Sequence, residues 1–179
     1  MLTIALNFAL FMGMRNIHAD YDVVIRGGTV VDGSGRPGYV ADIGIREDRI
    51  VHVGELTGTG KIEINAAGLV VAPGFVDVHT HAEDIIRMPM SSNFIRMGVT
   101  TIITGNCGGS ATNIGDFLTK IDSLKPRVNV ATLVGHNTLR HNAMKGSFNR
   151  PPTESEMDSM KKSLQKAMDD GALGFSTGL

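Results

Sequence analysis

From Tyr21 to about Gly68 the chain reads as strand after strand. Tyr21, Val23 and Ile25 alternate with Asp22, Val24 and Arg26, and Gly27-Gly28 predicts a turn. Ile43 and Ile45 then lead through Arg46-Glu47-Asp48-Arg49 into Ile50–Val53, which predicts a hairpin. The stretch therefore reads as a small β module.

After Gly68 the pattern changes to strand, polar cluster, helix. A strand at 75–79 ends in His79-Thr80-His81, and one at 100–104 ends in Gly105-Asn106-Cys107-Gly108-Gly109-Ser110. A strand at 127–134 ends in Gly135-His136-Asn137, and one at 172–175 ends in Ser176-Thr177-Gly178. Helices are predicted at about 84–97, 113–124 and 153–170. The last is the clearest: Thr153 and Glu156 form a capping box, Met157, Met160, Leu164, Ala167 and Met168 make one apolar stripe read as core, and Gly171 supplies the stop. Repeated β-then-α units imply a parallel sheet, and polar residues at the carboxyl ends of successive strands are how a (β/α) barrel or a doubly wound sheet builds its site.

The first 19 residues differ from the rest. Leu2 to Met14 is an apolar run broken only by Thr3, Asn7 and Gly13, too short for a bilayer span and long enough for a signal-peptide core. Ala19, with Ile17 two residues before it, supplies a small residue for cleavage ahead of Asp20. No Lys or Arg precedes the run and Arg15 follows it, so a signal peptide with periplasmic or secreted export, a mis-assigned start codon and a cytoplasmic extension all stay open.

Composition narrows the chemistry. With 179 residues, 42% hydrophobic and a formal net charge of −1, the chain has no electrostatic footprint for nucleic acid. Its one cysteine, Cys107, cannot form an internal disulfide, so its importance would lie in metal or thiol chemistry. Gly33-Ser34-Gly35-Arg36-Pro37-Gly38 has dinucleotide-loop spacing, but a strand pattern follows where a helix must begin. Gly60-Lys61 lacks the rest of a phosphate loop: Glu55 stands at the first glycine's place and Ile62 at that of Ser or Thr.

The ending His79-Thr80-His81 carries the strongest signal. Alternate strand residues share a face, so Asp77, His79 and His81 project together while Val76 and Val78 face covering helices. Cys107 ends the next strand in a glycine-rich turn, and a thiolate with two imidazoles favours zinc. Asp77 reads either as a buried carboxylate or as the partner that orients a ligand imidazole. Asn106 and His136 are placed to line the pocket, whereas His18, His52 and His141 read as surface or structural.

The run VIRGGTVVDGSG, the hairpin IGIREDRIVHVG and then APGFVDVHTH resemble the opening of the amidohydrolase superfamily, in which a small β-sandwich precedes a metal-bearing TIM barrel. GVTTIITGNCGGS, GHNTLR and GALGFSTGL are similar to the N-acyl-D-amino-acid deacylase (D-aminoacylase) group. The resemblance implies an α/β fold with a β-sandwich portion at 20–69 and the first half of a (β/α)8 barrel at 70–179. It implies His79 and His81 on one metal position and Cys107 where many superfamily members use a bridging carboxylated lysine, with one or two zinc ions. The implied reaction is attack of a metal-activated water on the amide of a small-molecule N-acyl-D-amino acid, releasing a carboxylate and a D-amino acid. The family's aspartate that protonates the leaving amine, and its later metal histidines, would lie beyond Leu179.

A complete barrel takes about 250 residues, and this reading finds four strands. Half a barrel leaves unpaired edges and bare apolar surface, which implies self-association or a need for the missing C-terminal half. Two further readings stay open: a non-catalytic remnant or interaction module, and a cyclic amidohydrolase like the dihydroorotases and hydantoinases.

Overall fold

The computed structural model describes residues 19–145 and 149–178. The signal-peptide reading and His18 thus fall outside the described residues, apart from Ala19. The chain divides into two units, Met1–Pro73 and Gly74–Leu179. Val70 and Val71 belong to the first sheet, which carries the division past residue 69.

In the first unit β1 (Tyr21–Val30) is the central strand. It pairs antiparallel with β2 (Tyr39–Arg46) and parallel with β4 (Gly60–Asn65) and β5 (Val70–Val71), and β3 (Arg49–Gly54) closes the predicted hairpin on β2. Gly27-Gly28 does not turn the chain. β1 runs through both glycines, and the irregularity is a register shift against β2 between Ile25 and Gly28, the signature of a bulge. Gly27 takes φ 64° there and its amide donates to Asp42 at 2.8 Å. The Arg26 guanidinium bonds both Asp42 and Glu63, and Glu63 is the main cause that raises its pKa. Val30, Ala41 and Ile43 form the core of this unit. The strand at 39–46 and the strand beginning at Gly60 leave neither glycine-rich loop a helix on which to seat a phosphate.

The second unit is built from parallel strands. β6 (Phe75–Asp77), β7 (Val99–Thr104) and β8 (Asn129–Thr132) pair in that order, and β9 (Val134–Gly135) pairs with β10 (Phe175–Ser176). Leu133 alone separates β8 from β9, and its amide donates to Thr104 at 2.8 Å. One stretch of chain therefore serves β7 on one side and β10 on the other.

Two of the predicted helices form as expected. α2 (Ile114–Leu124) is capped by the Asn113 side chain, and α4 (Glu154–Asp169) carries the complete Thr153–Glu156 box. Their buried faces feed two cores, one around Ile85, Val99, Ile102 and Phe117 and the other around Ile114, Val134, Leu139 and Met160. Of the α4 methionines only Met160 is buried; Met157 and Met168 stay partly exposed.

The helix expected over 84–97 is not continuous. It is a 3-10 turn, Glu83–Arg87, followed by a one-turn helix α1 (Ser92–Arg96). Pro89 has no amide to donate and disfavours helical backbone before it, and Ser91 adopts φ 50°. An unpredicted helix, α3 (His136–Met144), starts where a loop was expected. Val76 and Val78, expected beneath covering helices, are 55% and 63% exposed. No helix among the described residues is long and apolar enough to cross a membrane.

Candidate metal centre

β6 ends at Asp77, so His79 and His81 stand in the loop just beyond the strand. The segment is fixed through the residue between them. Thr80 is buried, and both its amide and its hydroxyl donate to the Ile103 carbonyl, at 3.0 and 2.9 Å. With Thr80 turned inward, the two histidines are left outside. The Asp77 carboxylate accepts the His79 amide at 3.2 Å, a local turn of the kind Asp favours. Asp77 therefore holds the main chain of His79, and the contact with an imidazole that the sequence suggested is not what the structure shows.

Cys107 lies in the loop after β7. It adopts φ 52° between Gly105 at φ 83° and Gly108 at φ 78°, a left-handed backbone that costs a non-glycine residue on the order of 1–2 kcal/mol. Neighbouring bonds hold it there. The Gly105 amide donates to Glu83 Oε1 at 2.8 Å, the Gly109 amide to the Asn106 carbonyl at 3.0 Å, and the Gly108 carbonyl accepts from the amides of Asn137 and Thr138. Gly105 has a second constraint, since a Cβ there would run into the Leu133 carbonyl.

Asn106 joins the two loops. It is buried, and its Nδ2 donates to Ile103 at 2.9 Å and reaches the Val78 and Thr80 carbonyls at 3.4 Å. One side chain thus spans the histidine segment and the cysteine loop. The sequence places Asn106 at the pocket lining; in the structure its side chain is buried between the two loops.

The outcome is a three-residue cluster. Ligand atoms of His79, His81 and Cys107 all lie within 4.8 Å of one another, and all three residues are exposed. His79 Nε2 is 3.2 Å from Cys107 Sγ, and the two imidazole rings meet edge to face with centroids 5.7 Å apart. Atoms at that spacing can share one divalent cation, which would replace the His–Cys hydrogen bond.

His136 is not part of the cluster. It opens α3, its ring meets Phe175 edge to face at 5.9 Å, and it lines an apolar cleft of about 240 Å³ with Leu139 and Met160. His52, on β3, bonds the Glu55 carbonyl just beyond the strand at 2.9 Å, and His141 lies on α3. Thr80 and Glu83 shape the site and were not singled out in the sequence. The partner of Glu83 is 22 positions away, so no local pattern could reveal it.

A profile of the Amidohydrolase family matches residues 63–179. The chain is similar to the D-aminoacylase of Alcaligenes xylosoxydans xylosoxydans, 36% identical over 88% of this chain and 38% of that protein. It is also similar to the N-acyl-D-glutamate deacylase of the same organism, 35% identical over 88% of this chain and 37% of that one. Among solved structures it superposes on the N-acyl-D-glutamate deacylase of Bordetella bronchiseptica, complexed with zinc and a phosphonate mimic of the tetrahedral intermediate. There the TM-score is 0.83 and the identity 36%, over 89% of this chain and 38% of that chain. The chain thus spans under two fifths of the length of these relatives.

Proposed function

The chain belongs to the amidohydrolase family, and from that premise we propose that it is the metal-bearing part of a zinc-dependent deacylase cleaving the amide C–N bond of N-acyl-D-amino acids. Its α/β fold class, a small β unit followed by parallel strands and helices of a TIM barrel, follows from the same similarity. The observation that carries the proposal is the meeting of His79, His81 and Cys107 within 4.8 Å.

The donor set fits zinc. Imidazole nitrogen and thiolate sulfur are its usual protein ligands, and a nitrogen and a sulfur on one tetrahedral zinc stand about 3.5 Å apart. The 3.2 Å separation of His79 Nε2 and Cys107 Sγ is close to that value. A bound zinc supplies a water of lowered pKa and a Lewis acid toward a carbonyl oxygen. The chain's own residues do the positioning: His79, His81 and Cys107 would hold the ion, Asn106 ties their loops together, and Asp77 fixes the His79 backbone. The departing amine still needs a proton, and no side chain of this cluster is free to give one while all three hold the ion.

Substrates are proposed to be small N-acyl-D-amino acids, with a carboxylate and a free D-amino acid as products. The remaining apparatus is assigned to the part of the relatives' length that this chain does not span, so the 179-residue chain is expected to bind zinc without turnover.

The test has two arms. Zinc content after dialysis is compared between the native chain and a His79→Ala/His81→Ala/Cys107→Ala variant; equal content overturns the metal centre. The full gene product is then assayed with N-acetyl-D-amino acids, their L-enantiomers and a hydantoin. Release of D-amino acid supports the deacylase, and turnover of the hydantoin alone overturns it in favour of a cyclic amidohydrolase.

A further inference from the structure

Ser176 is the last residue of β10, paired with Gly135 on β9. Its hydroxyl donates to the Gly105 carbonyl at 2.5 Å and accepts the Gly108 amide at 3.1 Å. Asn106 and Cys107 are the two residues between those contacts. A single oxygen therefore closes both ends of the loop that presents the thiol, using its capacity as donor and as acceptor together.

The surroundings leave that loop little room. A Cβ on Gly135 would overlap the Gly108 carbonyl, and one on Gly178 would overlap the Cys107 carbonyl. The strand paired with Ser176 and the chain just after it are thus packed directly against the cysteine turn. Asn106 and Glu83 hold the loop toward the histidine segment, while Ser176 holds it from the strand beyond. Cys107 has φ 52°, so a loop freed at its Gly108 end can relax toward the common right-handed region and carry the sulfur away from the imidazoles.

We propose that Ser176 is a positioning residue for Cys107, setting the turn that aims the thiolate at the metal shared with His79 and His81. This rests on the metal-centre reading above. Groups that orient ligands through hydrogen bonds typically change metal affinity by about 10- to 100-fold when removed, and that is the effect expected here.

The experiment loads the 179-residue chain with cobalt(II) and follows the sulfur-to-cobalt charge-transfer absorption, which reports the thiolate bond itself. The native chain is expected to show the band. Ser176→Ala should bind cobalt about 10- to 100-fold more weakly, with the band shifted or lost. Ser176→Thr should recover more of it than Ser176→Val, since the two differ in the hydroxyl at similar shape. Amide exchange adds a readout that needs no variant: Gly108 N–H should be protected in the native chain. Absence of the band in the native chain overturns the metal centre and this inference with it. A native band that Ser176→Ala and Ser176→Val reproduce at equal affinity, or an unprotected Gly108 amide, overturns the role of Ser176 alone.

Discussion

His79 Nε2 and Cys107 Sγ stand 3.2 Å apart across 28 positions of sequence. The contact exists because two loops, each anchored on Ile103 through Thr80 and Asn106, leave the same end of adjacent parallel strands. The imidazole and the thiol are brought together by the protein's own hydrogen bonds, so less ordering has to accompany binding of an ion.

Removing either partner of that contact should abolish tight metal binding. His79→Ala and Cys107→Ala are each expected to lower zinc affinity by more than the roughly 100-fold seen for groups behind the ligands, as measured by competition with a chelating dye. Native affinity should also fall steadily on acidification, because protons compete for both ligand types. A Cys107→Ala chain that keeps native affinity would show that the sulfur is not a ligand.

Asn106→Ala tests the link between the loops. It removes the Nδ2 donor from the Val78 and Thr80 carbonyls, while Ile103 keeps its two Thr80 donors, and the net loss of a hydrogen bond costs about 0.5–1.5 kcal/mol. Urea unfolding of the metal-free chain should show a loss in that range, with zinc affinity falling in parallel.

Thr104 offers the opposite sign. Its hydroxyl is fully buried and has no hydrogen-bond partner among the described residues, and an unsatisfied buried hydroxyl is destabilising. Thr104→Val keeps the shape and removes the polar atom, so the midpoint of urea unfolding is expected to rise by an equivalent of about 1 kcal/mol. A marked loss of stability would mean that the hydroxyl has a role the geometry does not reveal.

Two glycine substitutions should differ in kind. Gly33→Ala meets no neighbour but must hold φ 80°, at about 1–2 kcal/mol. Gly135→Ala has an ordinary φ of −84°, yet its Cβ would overlap the Gly108 backbone. Its cost is expected at the upper end of about 1–3 kcal/mol for overpacking, together with weaker zinc binding, which Gly33→Ala should leave untouched. Calorimetry and metal titration separate the two.

The start of α4 is acid-sensitive. Glu156 takes two 2.7 Å bonds from Arg150 and one from the Thr153 amide, and the Arg150 bonds lead in lowering its pKa from 4.5 to about 2. Because the folded value is the lower one, the stability it contributes is present above about 4.5 and is lost as pH falls toward 2. Melting temperatures of native and Glu156→Gln chains should converge through that window, measured by circular dichroism.

The features legible in the sequence were those with short-range causes. The hairpin at Arg46–Arg49 follows from alternation and turn residues, and α4 from its capping box and apolar stripe. The grouping of His79, His81 and Cys107 is legible because each lies in the loop that follows a strand, at the same end of neighbouring strands. α3 escaped notice because HNTLRHNAM has few apolar positions, and only Leu139 and Met144 among them are buried. The break in 84–97 follows from Pro89, which an apolar pattern does not register. Of the two readings of Asp77, the one toward a histidine ring depends on alternation continuing past the point where β6 stops. Ser176 stands out only as part of the polar cluster Ser176-Thr177-Gly178; its tie to the cysteine loop is not legible, since its partners lie 68 and 71 positions earlier.

Those separations impose an order on biosynthesis. The ribosome delivers both imidazoles and the thiol well before the hydroxyl that bridges Gly105 and Gly108, so the nascent polypeptide presents His79, His81 and Cys107 while the strand that fastens their loop is still untranslated. An ion captured at that stage would act as a temporary brace for a turn that the finished strand later secures.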